Sequence, residues 1–341
     1  MINAKDFTYD ELSALLMENG EKSFRAGQVF KWLHNGVTSF EEMTNVPKTL
    51  WRQKLPDLYI SVPKIEQKLV STDGTVKYLW RLADGECIES VVMNYEHGYS
   101  ICISTQAGCS MGCKFCASTI GGKIRDLSPG EIEDQIIFAG KDMGVRISNV
   151  VLMGIGEPLD NYDNVIKFIK NAGDEKGLNI GMRHITLSTC GLVDKMYALA
   201  DEELPITLSV SLHAPTDEIR RSIMPVANKY TIEEIIKACK YYIHKTGRRV
   251  SFEYTLIKDV NDSKENAKTL ASLVKGMQSH INLIPVNEAR KNISRSTGVT
   301  IGVFKDILSQ NGVNVTIRRT LGGDINASCG QLRNKSDRSD S

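Results

Sequence analysis

The stretch 99-YSICISTQAGCSMGCKFCASTIGGKIRDLSPGEIEDQIIFAGKDMGVRISNVVLMG-154 decides the fold. It opens on a short β-branched and apolar run, YSICIST, and closes on a second, SNVVLMG. Between them Ser128-Pro129 with Glu131 begins a helix: serine caps the first turn, proline suits the first helical position, and a glutamate three residues after the cap closes a capping box. Ile132, Ile136 and Ala139 then fall on one helical face. A strand, a helix and a strand in succession form a unit whose two strands run parallel.

The alternation continues downstream. RHITLST, PITLSVSL, VSFEYTLI and HINLIPV are further strands. Thr231-x-x-Glu234 begins a helix carrying Ile235, Ile236 and Cys239, and Asp262-x-x-Glu265 begins one carrying Leu270, Leu273 and Val274. Six strand-then-helix units predict an α/β fold with a parallel sheet, either open or curled into a barrel. A helix near Thr300–Leu308 precedes NVTIRR, a candidate seventh strand.

Upstream the texture differs. Residues 1–57 read as a helical domain. Thr8-x-x-Glu11 opens a run with Leu12, Leu15 and Leu16 on one face, Ser23 caps a helix with Val29, Phe30, Trp32 and Leu33 that stops near Gly36, and Ser39-x-x-Glu42 is another capping pattern. Pro56 and Pro63 bracket a break. Residues 58–98 then read as a β-hairpin extension, with KIEQKLV, TVKYLWRL and CIESVVM separated by Asp73-Gly74 and Asp84-Gly85 turns. The parallel unit occupies 99–333, and the polar tail 334–341, NKSDRSDS, is too poor in apolar residues to order.

Composition narrows the function. Lys and Arg number 42 against 41 Asp and Glu, a formal charge of +1, so a polyanion must be met by a local patch. The longest apolar-plus-glycine run, Val150 to Gly156, falls far short of the ~20 residues of a membrane span. Acidic residues stand near the N-terminus where a signal peptide has its apolar core. The expectation is a cytoplasmic protein without a membrane partner, its eight cysteines reduced.

Three of those cysteines form Cys109-x-x-x-Cys113-x-x-Cys116. A structural zinc site usually takes four protein ligands, and no nearby Cys or His offers a fourth at finger spacing. Three closely grouped thiolates fit an iron–sulfur cluster better and leave one iron open. Glycines at 108, 112, 121 and 122 let the loop wrap a bulky inorganic core.

CSMGCKFC after a strand, with an aromatic before the last cysteine, resembles the radical S-adenosylmethionine superfamily. Gly156-Glu157-Pro158 after the second strand is similar to that superfamily's GEP segment. The resemblance implies a partial six-unit βα barrel and a [4Fe-4S] cluster on Cys109, Cys113 and Cys116. It also implies that the open iron chelates the methionine moiety of S-adenosylmethionine, whose reductive cleavage gives a 5′-deoxyadenosyl radical. The helical N-terminal part, the hairpin segment, SLH, VN and a terminal SCGQL extend the likeness over nearly the whole chain, to the dual-specificity adenine-C2 methyltransferases of large-subunit (23S) ribosomal RNA and tRNA. In that family a first S-adenosylmethionine methylates a cysteine, here Cys329, and a second supplies the radical that abstracts hydrogen from the S-methyl group. The carbon radical adds to adenine C2, tethering the RNA through a thioether. A general base, by position Glu89, then removes the C2 proton, and Cys102 releases the product by forming a disulfide.

The likeness also places cofactor contacts at Gly156, Glu157, Ser188, Ser211, Leu212, His213 and Asn287, and implies a flavodoxin-like electron donor and a monomeric enzyme. Read without it, Glu89 is a solvated strand carboxylate, and Cys87, Cys190 and Cys239 are buried small hydrophobes. Arg318, Arg319, Arg333 and Lys335 against Asp324 leave +3 near Cys329, and Lys245, Arg248 and Arg249 form a second basic group. A related subfamily methylates adenine C8 and carries Ala where this chain has Pro158. A zinc-stabilised RNA-binding protein is the non-enzymatic alternative, and a radical enzyme for a small molecule or peptide would have no use for Cys329. Anaerobic reconstitution with iron and sulfide should yield a brown protein with visible charge-transfer absorption that bleaches in oxygen; a colourless product would refute the cluster.

Overall fold

The computed structural model describes residues 1–96, 98–286, 293–319, 321–325 and 327. In chain order the strands among these are β1 (Ile2–Asn3), β2 (Leu58–Tyr59), β3 (Lys64–Val70), β4 (Val76–Arg81), β5 (Cys87–Tyr95), β6 (Gly98–Cys102), β7 (Gln106–Gly108), β8 (Lys123–Asp126), β9 (Ile147–Leu152), β10 (Ile185–Thr189), β11 (Thr207–Ser211), β12 (Val250–Leu256), β13 (Ser279–Pro285) and β14 (Val315–Ile317). Ten of them make one sheet, ordered β3-β4-β5-β6-β9-β10-β11-β12-β13-β14. Neighbours are antiparallel from β3 to β6 and parallel from β6 to β14.

The six predicted units are present, and NVTIRR supplies the seventh parallel strand. Among the described residues the sheet stays open, with β3 and β14 at its two edges. The antiparallel strands continue the parallel half through the pairing of β5 with β6, Val91 opposite Cys102. Alternation along the strands sends Tyr78, Trp80, Ile88, Val92 and Ile101 to the main core, where they join Ile132, Ile136, Val150, Leu187, Leu208 and Phe252. The opposite face of β4 and β5 carries Lys77, Glu89 and Val91.

Helix starts follow local chemistry. The capping boxes of Thr8 with Glu11, Ser128 with Glu131 and Thr231 with Glu234 all form, opening helices Tyr9–Glu18, Pro129–Met143 and Ile232–Thr246. Three starts differ from expectation. The helix expected from Asp262 begins one residue later, with Ser263 capping Asn266, because the Asp262 carboxylate accepts from Asp259 N and the Ser296 hydroxyl. Ser39 opens only a single 3₁₀ turn, Phe40–Glu42, since Glu42 turns back to accept from the Thr38 backbone and hydroxyl. The helix Phe24–His34 forms without a side-chain cap from Ser23.

The N-terminal helices bury Leu12, Leu16, Val29, Phe30, Leu33, Leu50 and Trp51 in a core of their own. They meet helix Pro129–Met143 through buried polar groups. Lys5 Nζ pairs with Asp134 and donates to Ser61 O at 3.0 Å, the Ser61 hydroxyl donates to Asp134, and His34 Nε2 lies 3.1 Å from Glu133 Oε1. Burial raises Asp134 to about 6 despite Lys5. Removing one member of a buried pair strands the other charge, at a cost of about 3–5 kcal/mol. Lys5→Met should therefore lower the unfolding free energy by about that amount in urea titrations; unchanged stability would contradict the role given to this contact.

Candidate active site

One cavity opens at the C-terminal ends of the parallel strands, where this class of sheet gathers its chemistry. Cys109, Cys113 and Cys116 line one side, with Gly156-Glu157-Pro158 after β9, Ser188 to Cys190 at the end of β10, Ser211 and His213 from β11, Glu253 and Thr255 from β12, and Arg318 after β14.

The cysteine loop does not follow directly on β6. Ile103 to Thr105 lead into a two-stranded ribbon, β7 against β8, and the cysteines sit in the connection at its tip. Cys109 N donates to Gly122 O at 3.0 Å and closes the loop, while Lys114 N donates to Ile223 O at 2.9 Å and ties it to the segment after β11. Gly112 has φ +70°, and a Cβ there would come within 3.2 Å of Pro225, so the bend between the first two cysteines needs glycine. The Phe115 ring meets His213 edge-on at 4.8 Å. Burial pushes the Cys109 thiol up to about 12 and Cys113 further, with the neighbouring sulfurs adding to the effect. A metal group must displace those protons on binding. Among the described residues no three His, Cys, Asp or Glu side chains converge to hold a single ion. The three thiols instead face a shared cavity, and an open-sided donor set of soft sulfurs suits an iron–sulfur cluster.

Glu157 is 4% exposed, and its carboxylate is held by backbone donors: Cys190 N to Oε2 at 2.7 Å and Leu159 N to Oε1 at 3.1 Å. Its own N–H donates to Gln106 Oε1 at 2.9 Å, and Gln106 Nε2 reaches Asp126 and Asp160. Gln106 thus joins the cysteine ribbon to the turn after β9. Gly156, at φ +109°, lies so close to Gln106 that a Cβ would stand 2.7 Å from the Gln106 Cβ. Burial raises the Glu157 carboxyl. A cation entering the cavity relieves that cost.

The far wall is organised by two groups that sequence reading passed over. Arg220, fully buried, donates to the carbonyls of Cys190, Ser211 and Leu212, so one guanidinium pins the ends of β10 and β11; among the described residues its Nη1 has no hydrogen-bond partner. Glu253 accepts from Ser209 at 2.9 Å and Asn282 at 2.9 Å, and burial raises it against the opposing pull of Arg318. Neither stood out in sequence, because an arginine in a helix start and a glutamate in a strand become site residues only when the strands assemble.

His213 sits at φ +54°, its Nδ1 accepts from Thr255 N at 2.9 Å, and its carbonyl accepts from Asn261 at 2.7 Å. Burial, then Arg220, lowers its pKa to about 3, so the ring is neutral with its proton assigned to Nε2. Leu212 turns its side chain into the main core and offers only backbone to this region. Cys190, expected as a bystander, lines the cavity and supplies the N–H that holds Glu157. Cys87 and Cys239 are buried away from it.

Cys102 lies beyond this wall at 4% exposure, packed with Val91, Met93, Met153, Leu321 and Ala327. Met153 belongs to that cluster and to the cavity lining, so the two regions adjoin. Glu89 shares the Cys102 face of the sheet, because it stands two residues before Val91, the register partner of Cys102. The solvated reading of Glu89 is overturned: it is 2% exposed and pairs with the fully buried Lys77 at 2.9 Å. Cys329 and Asn287 lie outside the described residues.

Two of the basic residues expected to meet a polyanion also have partners within the chain, Lys245 in an exposed surface pair. Lys245 pairs with Asp201 at 3.3 Å, and Arg248 donates to Ile206 O and Thr207 Oγ1. Arg318 lines the cavity, while Arg333 and Lys335 lie outside the described residues.

Comparison with known proteins places this geometry. Residues 103–271 match the Radical SAM superfamily, and residues 2–60 match the Ribosomal RNA large subunit methyltransferase N-terminal domain. A protein of Clostridium botulinum (strain Alaska E43 / Type E3) named "Probable dual-specificity RNA methyltransferase RlmN" is 58% identical over 335 residues, covering 98% of this chain and 96% of that protein. One of the same name from Lachnospira eligens is 55% identical over 339 residues, covering 98% and 97%. The crystal structure of a radical SAM methyltransferase from Sphaerobacter thermophilus superposes with a TM-score of 0.91 at 39% identity, covering 97% of this chain and 99% of that one.

The buried neutral His213 yields a pH prediction. In nuclear magnetic resonance its ring signals should not titrate between pH 5 and 8, whereas an ordinary midpoint near 6.5 would contradict the burial. Unfolded chain binds this proton near 6.5 and the native state only near 3, so His213 makes stability fall as pH drops through that window.

Proposed function

The chain belongs to the radical SAM family of dual-specificity RNA methyltransferases, and we propose that it methylates adenine C2 with Cys329 as the methyl carrier. Its substrates on this reading are 23S ribosomal RNA at the peptidyl transferase centre and tRNA at the adenine 3′ of the anticodon. The observation that carries the reading is the adjacency of the cavity to the Cys102 and Glu89 face through Met153. A radical enzyme for a small metabolite has no need of a second buried thiol and carboxylate beside its cofactor cavity.

Cys109, Cys113 and Cys116 hold the [4Fe-4S] cluster. Glu157 and the bare backbone of Gly156 receive the ammonium of S-adenosylmethionine, and Ser188, Ser211, the Leu212 backbone and the Nε2–H of His213 orient its nucleoside end with Asn287. Bound there, the cluster and two S-adenosylmethionine molecules per turnover supply one methyl group and one hydrogen-abstracting radical. A flavodoxin-like donor provides the electron, and the enzyme works as a cytoplasmic monomer; no helix of the described residues is long and apolar enough to cross a membrane.

The residues then act in order. The Cys329 thiol, on losing its proton, would attack the sulfonium methyl of one S-adenosylmethionine, whose sulfur–methyl bond breaks to release S-adenosylhomocysteine, and become a methyl thioether. Loss of a hydrogen atom from that methyl leaves a carbon radical able to join adenine C2, a ring carbon too electron-poor to attack a methyl cation equivalent. Glu89, held in place by Lys77, accepts the C2 proton. Once the adduct has returned its unpaired electron to the electron-transfer partner, the Cys102 thiolate attacks the Cys329 sulfur; the disulfide forms as the sulfur–carbon bond breaks, the freed carbon takes up a proton to complete the methyl group, and the methylated base departs. Residues 1–57 serve as a docking unit for structured RNA, whose target adenine must be unstacked to reach the cavity.

Incubation with S-adenosylmethionine, reductant and RNA followed by nucleoside mass spectrometry should reveal 2-methyladenosine. Finding 8-methyladenosine would move the enzyme to the C8 subfamily, against the Pro158 reading. Cys329→Ala should abolish product, and Cys102→Ala should accumulate RNA covalently joined to protein; a Cys329→Ala variant of undiminished turnover would refute the carrier role.

A further inference from the structure

The hairpin between β3 and β4 does more than reverse the chain. Its turn, Ser71 to Thr75, makes reciprocal hydrogen bonds with a segment some 250 residues later in sequence. Asp324 accepts from the Ser71 hydroxyl and from Thr72 N at 3.1 Å, while Asp73 accepts from Gly322 N at 2.8 Å. Each segment contributes one aspartate to the other's donors. Gly322 has φ +64°, and a Cβ there would lie 3.1 Å from Thr75 Cγ2 and 2.5 Å from the Ala327 Cβ. The Gly322 carbonyl in turn accepts from Ile325 N and Ala327 N. Leu321 and Ala327 pack directly into the cluster that contains Cys102. Hydrogen bonds from Gly322 and Thr75 hold the Asp73 carboxyl well below its ordinary range, and those from Ser71 and Thr72 do the same for Asp324.

Such an arrangement fixes where the chain stands two residues before Cys329. We propose that Asp73 and Asp324 are positioning residues: they anchor the 321–327 segment to the hairpin turn and thereby raise the effective concentration of the Cys329 thiol at Cys102. The inference rests on the reading of Cys329 and Cys102 as partners in turnover. Neither aspartate touches the cofactor cavity, whose lining includes neither turn residue. Their contribution is geometric, converting an encounter between two thiols into one with a short tether.

The test uses full-length, cluster-loaded protein held anaerobically in buffers of reduced and oxidised glutathione. Two thiols give up two protons and two electrons to oxidised glutathione, which becomes two molecules of reduced glutathione. Peptide mass spectrometry reports the Cys102–Cys329 disulfide at each ratio, and hence the effective concentration of the pair. Asp324→Ala and Asp73→Ala should each lower it by about tenfold, the equivalent of about 1.4 kcal/mol. Asp73→Asn should stay closer to the unsubstituted protein than Asp73→Ala, since its one amide oxygen can still accept from Gly322 N while its NH2 cannot replace the second oxygen that accepts from Thr75 N; a loss as large as alanine's would show that the turn bond, not the anchor to Gly322, is responsible and would overturn the proposal. Wild-type effective concentrations in both alanine variants would overturn the anchor while leaving the carrier reading intact. Absence of the disulfide in the unsubstituted protein at every ratio would instead overturn the Cys102–Cys329 pairing, and the anchor with it.

Discussion

A buried carboxylate that no ion pair among the described residues neutralises organises the site. Glu157 sits in a low-dielectric cavity, and placing an anion there costs several kcal/mol unless donors surround it. The donors come from different parts of the chain: Cys190 N after β10, Leu159 N from its own turn, and Gln106 fixing the Glu157 backbone from the cysteine ribbon. Satisfying one side chain therefore draws the ribbon and the ends of β9 and β10 into register around a single cavity. Arg220 extends the same logic to β11 by filling the carbonyls left open at two strand ends. What remains is a buried carboxylate presented to the cavity, a fit for a cationic group on the proposed reading.

The second constraint is the sheet itself. Because its strands follow chain order from one edge to the other, antiparallel strands at one side lie directly beside the first parallel strand. Glu89 and Lys77, on strands that would otherwise form a plain hairpin, share a face with Cys102 and a border with the cavity. The C-terminal segment returns across that same side and is tied to the hairpin turn by Asp73 and Asp324.

Much of this was legible before any coordinates. Alternating strands and capped helices predict the parallel half, and the cap of helix Pro129–Met143 forms as read. The spacing of Cys109, Cys113 and Cys116, with Gly156-Glu157 one strand later, locates the cavity. What escaped reading depends on register and tertiary proximity. Glu89 alternates with apolar neighbours as a solvated carboxylate would, and only the pairing of β4 with β5 brings Lys77 to it. Arg220 is one of two adjacent arginines, Arg220 buried and Arg221 exposed, and nothing local distinguishes them. Basic residues at 245 and 248 each find a partner in the chain, Asp201 and Thr207, that no local pattern announces.

The central claim is that the methyl group passes through a carbon radical on Cys329 before it reaches adenine. Turnover with S-adenosylmethionine bearing a fully deuterated methyl group tests this most directly, because hydrogen abstraction removes one deuterium before the new bond forms. Mass spectrometry of the product nucleoside should find a methyl group with two deuterium atoms and one hydrogen, and the lost deuterium in 5′-deoxyadenosine. A product that keeps all three deuterium atoms would mean direct methyl transfer and would contradict the account.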